Sequence, residues 1–360
     1  MKIAILINDI TGIGGVERVV TNTSNYFIRN LGWNINIISL FEKTNKNINF
    51  ELDSNAKVVF SNIENMSKNK FYRYKYLYKF LKNTMKKEKY DYILGCGVSL
   101  NILSFIAKKF NNINTKIIAW EHSQYDNCSK KMKLLRRAFY PKLDKIITLS
   151  SYDNKLFGVF CKDVYVIPNI SSFKSNSVSN LRQKKVIAIG RLENEKGFDL
   201  LIKSFGIINR KFPDWNLYIY GEGSLRNYLN EIIIEKKLNN NIFLMGSTNN
   251  IKDKLIESSI MVLSSRSESF GMVIVEAMTC GLPVVSFDCK VGPREIISDS
   301  VDGFLVKPES IKELADKIML LMSDFDTRVK LGKKAKIKSY KYSENNILEL
   351  WKKILIKRSY

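Results

Sequence analysis

At 360 residues and 45% hydrophobic content the chain exceeds what one core absorbs, so two domains are expected and disorder is not indicated. Its 58 Lys and Arg against 35 Asp and Glu leave a formal net charge of +23, a field that draws nucleic acid, anionic lipid or phosphorylated substrates without choosing among them. The five cysteines, Cys96, Cys128, Cys161, Cys280 and Cys289, form no Cys-x-x-Cys pair, and His122 is the only histidine. These counts argue against a disulfide framework and a zinc site and favour a reducing cytosol. The apolar run Ile3 to Ile7 is too short for a signal-peptide core, and no stretch approaches the roughly 18 apolar residues of a membrane span.

The first half alternates strand and helix patterns. Lys2 to Asn8 reads as a buried strand, followed by the loop Thr11 to Gly15 (TGIGG) and a helix from Val16 to Asn30 closed by Gly32. A glycine loop between strand and helix is a phosphate-cradling geometry, and it is equally a tight turn that needs glycine for its backbone angles. It is a poor dinucleotide fingerprint, because the third glycine position holds Glu17; Glu42, near the end of the next strand, suits a ribose and keeps a dehydrogenase reading open. Strands follow at Ile35 to Leu40, Lys57 to Phe60, Tyr92 to Leu94, Lys116 to Trp120, Lys145 to Ser150 and Val164 to Ile167. Alternation of this kind implies a parallel sheet covered on both faces.

Between the early strands lies a basic helix, Lys68 to Lys89, with nine Lys or Arg and one Glu. Phe71, Tyr74, Tyr78, Leu81 and Met85 recur on it at helical spacing, a stripe that suits either the core or an anionic membrane surface. A second basic cluster runs from Lys130 to Arg137, and both clusters in one half favour the membrane reading. His122 stands just past Trp120, at the carboxyl end of a parallel strand, where open α/β sheets bind ligands; a structural role remains open.

A Ser/Asn-rich stretch within 171–183 reads as an interdomain linker. The second domain, 184–341, opens with the strand Lys185 to Ile189 and the loop Gly190 to Gly197 (GRLENEKG), then a helix from Phe198. Arg191 and Lys196 at the end of that strand can neutralise a diphosphate, Arg as a planar fork and Lys as a point charge. Strands at Leu217 to Tyr220, Ile242 to Met245 and Ile260 to Leu263 lead to the stretch Ser264 to Ile297. There a polar loop enters a helix from Met272 to Thr279, leaving the amides around Ser269, Phe270 and Gly271 at a helix start that favours an anion. Glu268 and Glu276 bracket this point about 12 Å apart if helical, wider than a glycosidase pair, and so read as two grips on a long ligand. The Asp324 to Asp326 acidic pair lies late in the chain and reads as incidental. The last helix, 343–358, has Ile347, Leu350, Trp351 and Ile354 on one face behind a Ser343 cap.

The Glu268/Glu276 spacing, with Gly190, Arg191, Lys196, Gly197, the Gly14–Gly15 pair and the GPREII run from Gly292 to Ile297, resembles the retaining glycosyltransferases of the GT4 family. The resemblance covers nearly the whole chain. It implies the GT-B fold, two Rossmann-like doubly wound parallel-sheet domains facing a cleft, with an acceptor domain over 1–170 and a final helix crossing back to it. It further implies that Arg191 and Lys196 bind the donor diphosphate, Glu276 the ribose, and Glu268 and His122 the donor sugar. Gly246 to Asn249 would hold the base, and Gly14 and Gly15 would lie near the donor phosphates and the acceptor. The expected reaction is sugar transfer from a nucleotide sugar, a UDP-hexose or UDP-N-acetylhexosamine, to a polyprenyl-diphosphate-linked saccharide of bacterial surface polysaccharide. It is expected to need no divalent metal and to take place at the cytoplasmic face of the membrane. Rivals are another GT-B enzyme, an epimerase or a phosphorylase, and a basic nucleic-acid-binding protein, for which no helix-turn-helix, RNP or zinc pattern speaks.

Overall fold

The structure is a computed structural model and describes residues 1–41, 47–63, 69–171 and 173–356. Glu42 and Lys68, singled out above, lie outside these residues, as do the last positions of the final helix expected to reach 358. The chain divides into two units, Met1–Ile170 with Ile347–Tyr360, and Ser171–Asn346.

In the first unit, β1 (Lys2–Ile7), β2 (Asn34–Ser39), β3 (Lys57–Phe60), β4 (Tyr92–Gly95), β5 (Lys116–Trp120), β6 (Lys145–Thr148) and β7 (Val164–Val166) form one parallel sheet in the order β3-β2-β1-β4-β5-β6-β7. The apolar strands need cover on both faces, which the alternation of side chains along a strand divides. Ile3 and Ile5 enter a cluster with Phe27, Trp120 and Trp351. Ala4 and Leu6 enter another with Leu77, Leu81 and Met85. Helix α1 (Gly15–Leu31) supplies Phe27, and α2 (Lys70–Glu88), capped by the Asn69 side chain on the Phe71 amide, supplies Leu77, Leu81 and Met85. The first unit continues through α3 (Val98–Lys109), α4 (Lys130–Phe139) and α5 (Ser151–Gly158).

The stripe expected along α2 is divided. Leu81 and Met85 are fully buried, whereas Phe71 is 71% exposed and Tyr74 47% exposed. The basic cluster on α4 needs a correction too. Lys130, Lys131 and Arg137 are exposed, but Arg136 is completely buried, so it belongs to the interior and not to a surface patch.

The second unit pairs β8 (Lys185–Ile189), β9 (Asn216–Tyr220), β10 (Ile242–Gly246), β11 (Ile260–Leu263), β12 (Val284–Phe287) and β13 (Gly303–Val306) in the parallel order β10-β9-β8-β11-β12-β13. Its helices include α6 (Phe198–Ile208), α7 (Arg226–Glu235), α8 (Ile251–Ile256), α9 (Met272–Thr279), α10 (Pro293–Ile296), α11 (Ile311–Ser323) and α12 (Phe325–Ser339). The segment read as a linker is held to this unit. The Ser179 hydroxyl donates to the Ser258 carbonyl, Arg328 Nε donates to the Leu181 carbonyl at 3.0 Å, and Lys336 Nζ reaches the Ser175 and Thr279 carbonyls at 2.9 and 2.6 Å. Asp324 caps α12, accepting from the Thr327 amide at 2.9 Å and hydroxyl at 2.6 Å, which gives this residue of the acidic pair a structural use. The last helix, α13 (Glu344–Leu355), returns to the first unit from Ile347 onward.

Candidate functional site

In each sheet the order reverses between two central strands, β1 and β4 in the first unit and β8 and β11 in the second. At such a reversal the crossovers leave on opposite faces, and the carboxyl ends of the strands open into a crevice that holds ligands. The loops reaching these points carry the residues singled out from the sequence.

In the second unit, β8 runs into Gly190, Arg191 and a single 3-10 turn, Asn194–Lys196; β11 runs into the loop Ser264 to Gly271. Gly197 joins the turn to α6 with φ +62, and a Cβ there would lie 2.1 Å from the Ser264 carbonyl oxygen, so only glycine permits the two loops to touch. Three polar ties then fix them. Ser264 Oγ donates to the Lys196 carbonyl at 2.9 Å, the Arg266 amide to the Glu195 carbonyl at 2.8 Å, and the Arg266 guanidinium forks onto Asp199 at 2.9 and 2.8 Å. Burial works against the Asp199 carboxylate, but the Arg266 fork outweighs it and holds its pKa below the usual range.

This register brings Lys196 and Glu268 together: Lys196 Nζ donates to Glu268 Oε2 at 2.6 Å. Arg191 is exposed and pairs with Glu195 at 2.6 Å. Gly271, at φ +94, caps α9 and sets the Phe270 and Gly271 amides at its positive end. The Phe270 ring is buried edge-on to Tyr342, with centroids 5.7 Å apart, leaving its backbone as the part a ligand can use. Glu276 lies on α9, 1% exposed. Gly292, at φ +91, closes against the Glu268 carbonyl, where a Cβ would stand 2.7 Å away, so the GPREII run braces the Glu268 loop from behind. Cys289 donates to the Ser265 carbonyl at 2.9 Å, and burial, with Glu268 next in effect, pushes its thiol up to about 12. That sulfur stays protonated. Gly246 ends β10, with its carbonyl accepting from the Gly221 amide at 2.9 Å.

In the first unit, Gly14 caps α1, and the Glu17 carboxylate folds over it: a Cβ on Gly14 would meet Glu17 Oε2 at 2.5 Å. An acid therefore lies over part of the glycine loop read as a phosphate cradle, while Gly15 is open. His122 follows β5 with its ring 4.5 Å from that of Trp120. The residue is half-buried, but its Nε2 is sealed from solvent and has no hydrogen-bond partner among the described residues. Burial lowers its pKa to about 3, so the ring is neutral near pH 7. The sequence reading missed its neighbour Glu121, buried with Arg136 and the Tyr140 hydroxyl as partners. Arg136 also donates to Cys128 Sγ at 2.8 Å and Ser123 Oγ at 3.3 Å, and Asn101 donates to Tyr140 at 3.0 Å. Burial raises the Glu121 pKa against the pull of Arg136. Arg136 and Tyr140, one helical turn apart, carried a weak signal; nothing local links either to Glu121.

Among the described residues no group of His, Cys, Asp or Glu could hold a metal ion, and no helix is long and apolar enough to cross a membrane.

Two Rossmann-like parallel sheets with loops of this kind at their carboxyl ends are the GT-B architecture. Residues 169–338 match the family model of glycosyl transferases group 1 and residues 13–170 that of Glycosyltransferase Family 4, and the chain belongs to this group. It is 29% identical to an uncharacterized glycosyltransferase of Haemophilus influenzae and 27% identical to the amylovoran biosynthesis glycosyltransferase AmsD of Erwinia amylovora, each over 98% of this chain and 99% of the relative. A GalNAc-GalNAc-diNAcBac-PP-undecaprenol N-acetyl-D-galactosaminyltransferase of Campylobacter jejuni is 26% identical over 76% of this chain and 77% of its own. Among solved structures, HepE of Anabaena in complex with UDP and glucose superimposes with a TM-score of 0.79 at 19% identity, over 99% of both chains. The lipopolysaccharide outer core galactosyltransferase WaaB does so with 0.74 at 21%, over 98% of this chain and 100% of its own.

Proposed function

We propose that this glycosyltransferase moves a hexose or N-acetylhexosamine from a UDP-sugar to a polyprenyl-diphosphate-linked saccharide, with retention of configuration and without a divalent metal. The observation that carries the reading is the meeting of Lys196, Glu268 and the α9 start at one sheet reversal. As the glycosyl bond breaks, charge grows on the leaving diphosphate, and preorganised donors there lower the barrier. Lys196, Arg191 and the Phe270 and Gly271 amides take that part, Glu276 takes the ribose, and Glu268 and His122 contact the sugar. The relatives named for amylovoran synthesis and for an undecaprenol-linked acceptor, and the structure with UDP and glucose, support the choice of substrates. Exposed Phe71, Tyr72 and Tyr74 beside Lys75 and Lys79, with Leu134 among exposed cations on α4, support docking at an anionic membrane face.

The test is a thermal-shift panel of UDP, GDP, ADP, CMP and TDP, each with and without EDTA, on the wild type and on Glu276→Ala. Ligand at 100 times its Kd adds about 2.7 kcal/mol to the folded state, a readily measured rise. UDP alone is expected to stabilise the wild type and to do little for the variant. No shift with any nucleotide overturns the donor-site assignment, and a UDP shift that disappears with EDTA overturns the metal-free reading.

A further inference from the structure

Both cations assigned to the diphosphate already hold a carboxylate: Lys196 holds Glu268 and Arg191 holds Glu195, each at 2.6 Å. The two pairs differ in depth. Arg191 and Glu195 are 72% and 40% exposed, so water and salt screen them, whereas Lys196 and Glu268 are 18% and 15% exposed.

We infer that Glu268 is an internal counter-anion for Lys196: nucleoside diphosphate binds by displacing the Glu268 carboxylate from the ammonium, and re-pairing of the two drives the diphosphate product off. The inference rests on the donor-site reading above and adds a second role for Glu268, the setting of product release.

The geometry favours an exchange at the side-chain tips over a movement of the loops. Backbones on both sides are tied by Ser264 to the Lys196 carbonyl, by the Arg266 amide to the Glu195 carbonyl, and by the Arg266–Asp199 fork. The Lys196 stem lies flat over Gly190, where an added Cβ would stand 3.3 Å from its Cγ and Cδ. What remains adjustable is the ammonium, a point charge with three donors that can turn from a carboxylate to a phosphate oxygen. Glu268 keeps Ser265 Oγ at 3.4 Å as a second contact. A site that gripped the diphosphate with bare cations would hold the product as firmly as the transition state, and tight uniform binding slows turnover. A competing carboxylate weakens the ground-state grip.

The predicted sign is unusual for a binding-site acid: removing its charge tightens the nucleotide. Titration calorimetry with UDP and UMP on the wild type, Glu268→Gln, Lys196→Met and the double variant tests it. Glu268→Gln is expected to bind UDP at least about fivefold tighter, beyond what an exposed ion pair yields. UMP, which lacks the second phosphate, is expected to change by less than about twofold, and the UDP gain is expected to vanish when Lys196 is also replaced. Glu268→Asp, whose shorter arm withdraws from Lys196, gives part of the gain and covers the case of a poorly folded Gln variant. UDP binding that is unchanged or weaker in both variants overturns the exchange. Equal tightening of UDP and UMP, or a gain that survives the loss of Lys196, also overturns it, because the effect would then be general electrostatics. A wild type that binds no nucleoside diphosphate overturns the donor-site reading itself, a separate outcome from the first two.

Discussion

His122 is placed where a proton is costly. Its Nε2 is sealed, its ring lies against Trp120, and its pKa falls from 6.5 to about 3. A depressed value for a base means that folding favours the neutral form. That contribution to stability is complete above pH 6.5 and is lost as pH falls toward 3. The consequence for activity is specific: a neutral imidazole donates or accepts a hydrogen bond but carries no charge to titrate. Profiles of kcat/KM are therefore expected to lack a histidine limb between pH 5.5 and 8, roughly the range over which an unperturbed imidazole changes charge. His122→Gln, which keeps a hydrogen-bonding tip, is expected to retain more activity than His122→Ala at every pH. A limb near the ordinary histidine value, abolished in His122→Gln, would show that the ring is charged in the working enzyme.

Helices α2 and α4 show where charge along a sequence misleads. On α4, Arg136 stands among Lys130, Lys131, Lys133 and Arg137, and composition cannot separate it from them. Buried Arg136 and Glu121 each pay a desolvation cost that the other offsets, so loss of one partner leaves a bare charge inside. Arg136→Ala is expected to destabilise the fold by roughly 3–5 kcal/mol in chemical denaturation, while Glu121→Gln with Arg136→Met recovers much of that loss. Arg137→Ala is expected to leave stability within about 0.5 kcal/mol of wild type. An Arg136→Ala protein as stable as Arg137→Ala would place the side chain outside the core. The partner of Arg136 was not legible because a 15-residue separation across a loop has no local signature. On α2 the helical period put Phe71, Tyr74, Leu81 and Met85 on one stripe, and the clustered charge favoured a membrane surface for all of it, yet Leu81 and Met85 are buried in the core while Phe71 and Tyr74 are exposed. Periodicity gives a direction around the helix axis; it does not say how far along that axis the neighbouring elements reach.

At the scale of the whole chain, the alternation of strand and helix gave the class of fold, because buried parallel strands write continuous apolar runs. Strand order was not legible, and the candidate site depends on it. Lys196 and Glu268 are 72 residues apart and meet only because β8 pairs with β11. The motif resemblance, not periodicity, anticipated that they belong together. Order along the chain also differs from order in space at the C-terminus, where Trp351 is 1% exposed in the first unit's core, its ring 5.2 Å from Trp120 and 5.5 Å from Phe27. Tyr92 adds a hydrogen bond to the Leu355 carbonyl at 2.8 Å. The first unit is therefore finished only after the second has been synthesised. Trp351→Ala is expected to cost roughly 3–5 kcal/mol, the range for emptying a buried aromatic site. Because Arg191, Lys196, Phe270, Gly271 and Glu276, assigned to the nucleotide, lie in Ser171–Asn346, the same variant is expected to leave the nucleotide Kd within about twofold at temperatures where it is folded. A fragment of residues 171–346 is expected to melt cooperatively and to bind the same nucleotide, whereas residues 1–170 alone, lacking Trp351 beneath Trp120, are expected to show a broad transition and exposed apolar surface. A sharp melt for 1–170 equal to that of the intact chain would mean that the last helix is an accessory to the first core; its absence would make the C-terminal return a condition for holding Trp120, and with it His122, in place.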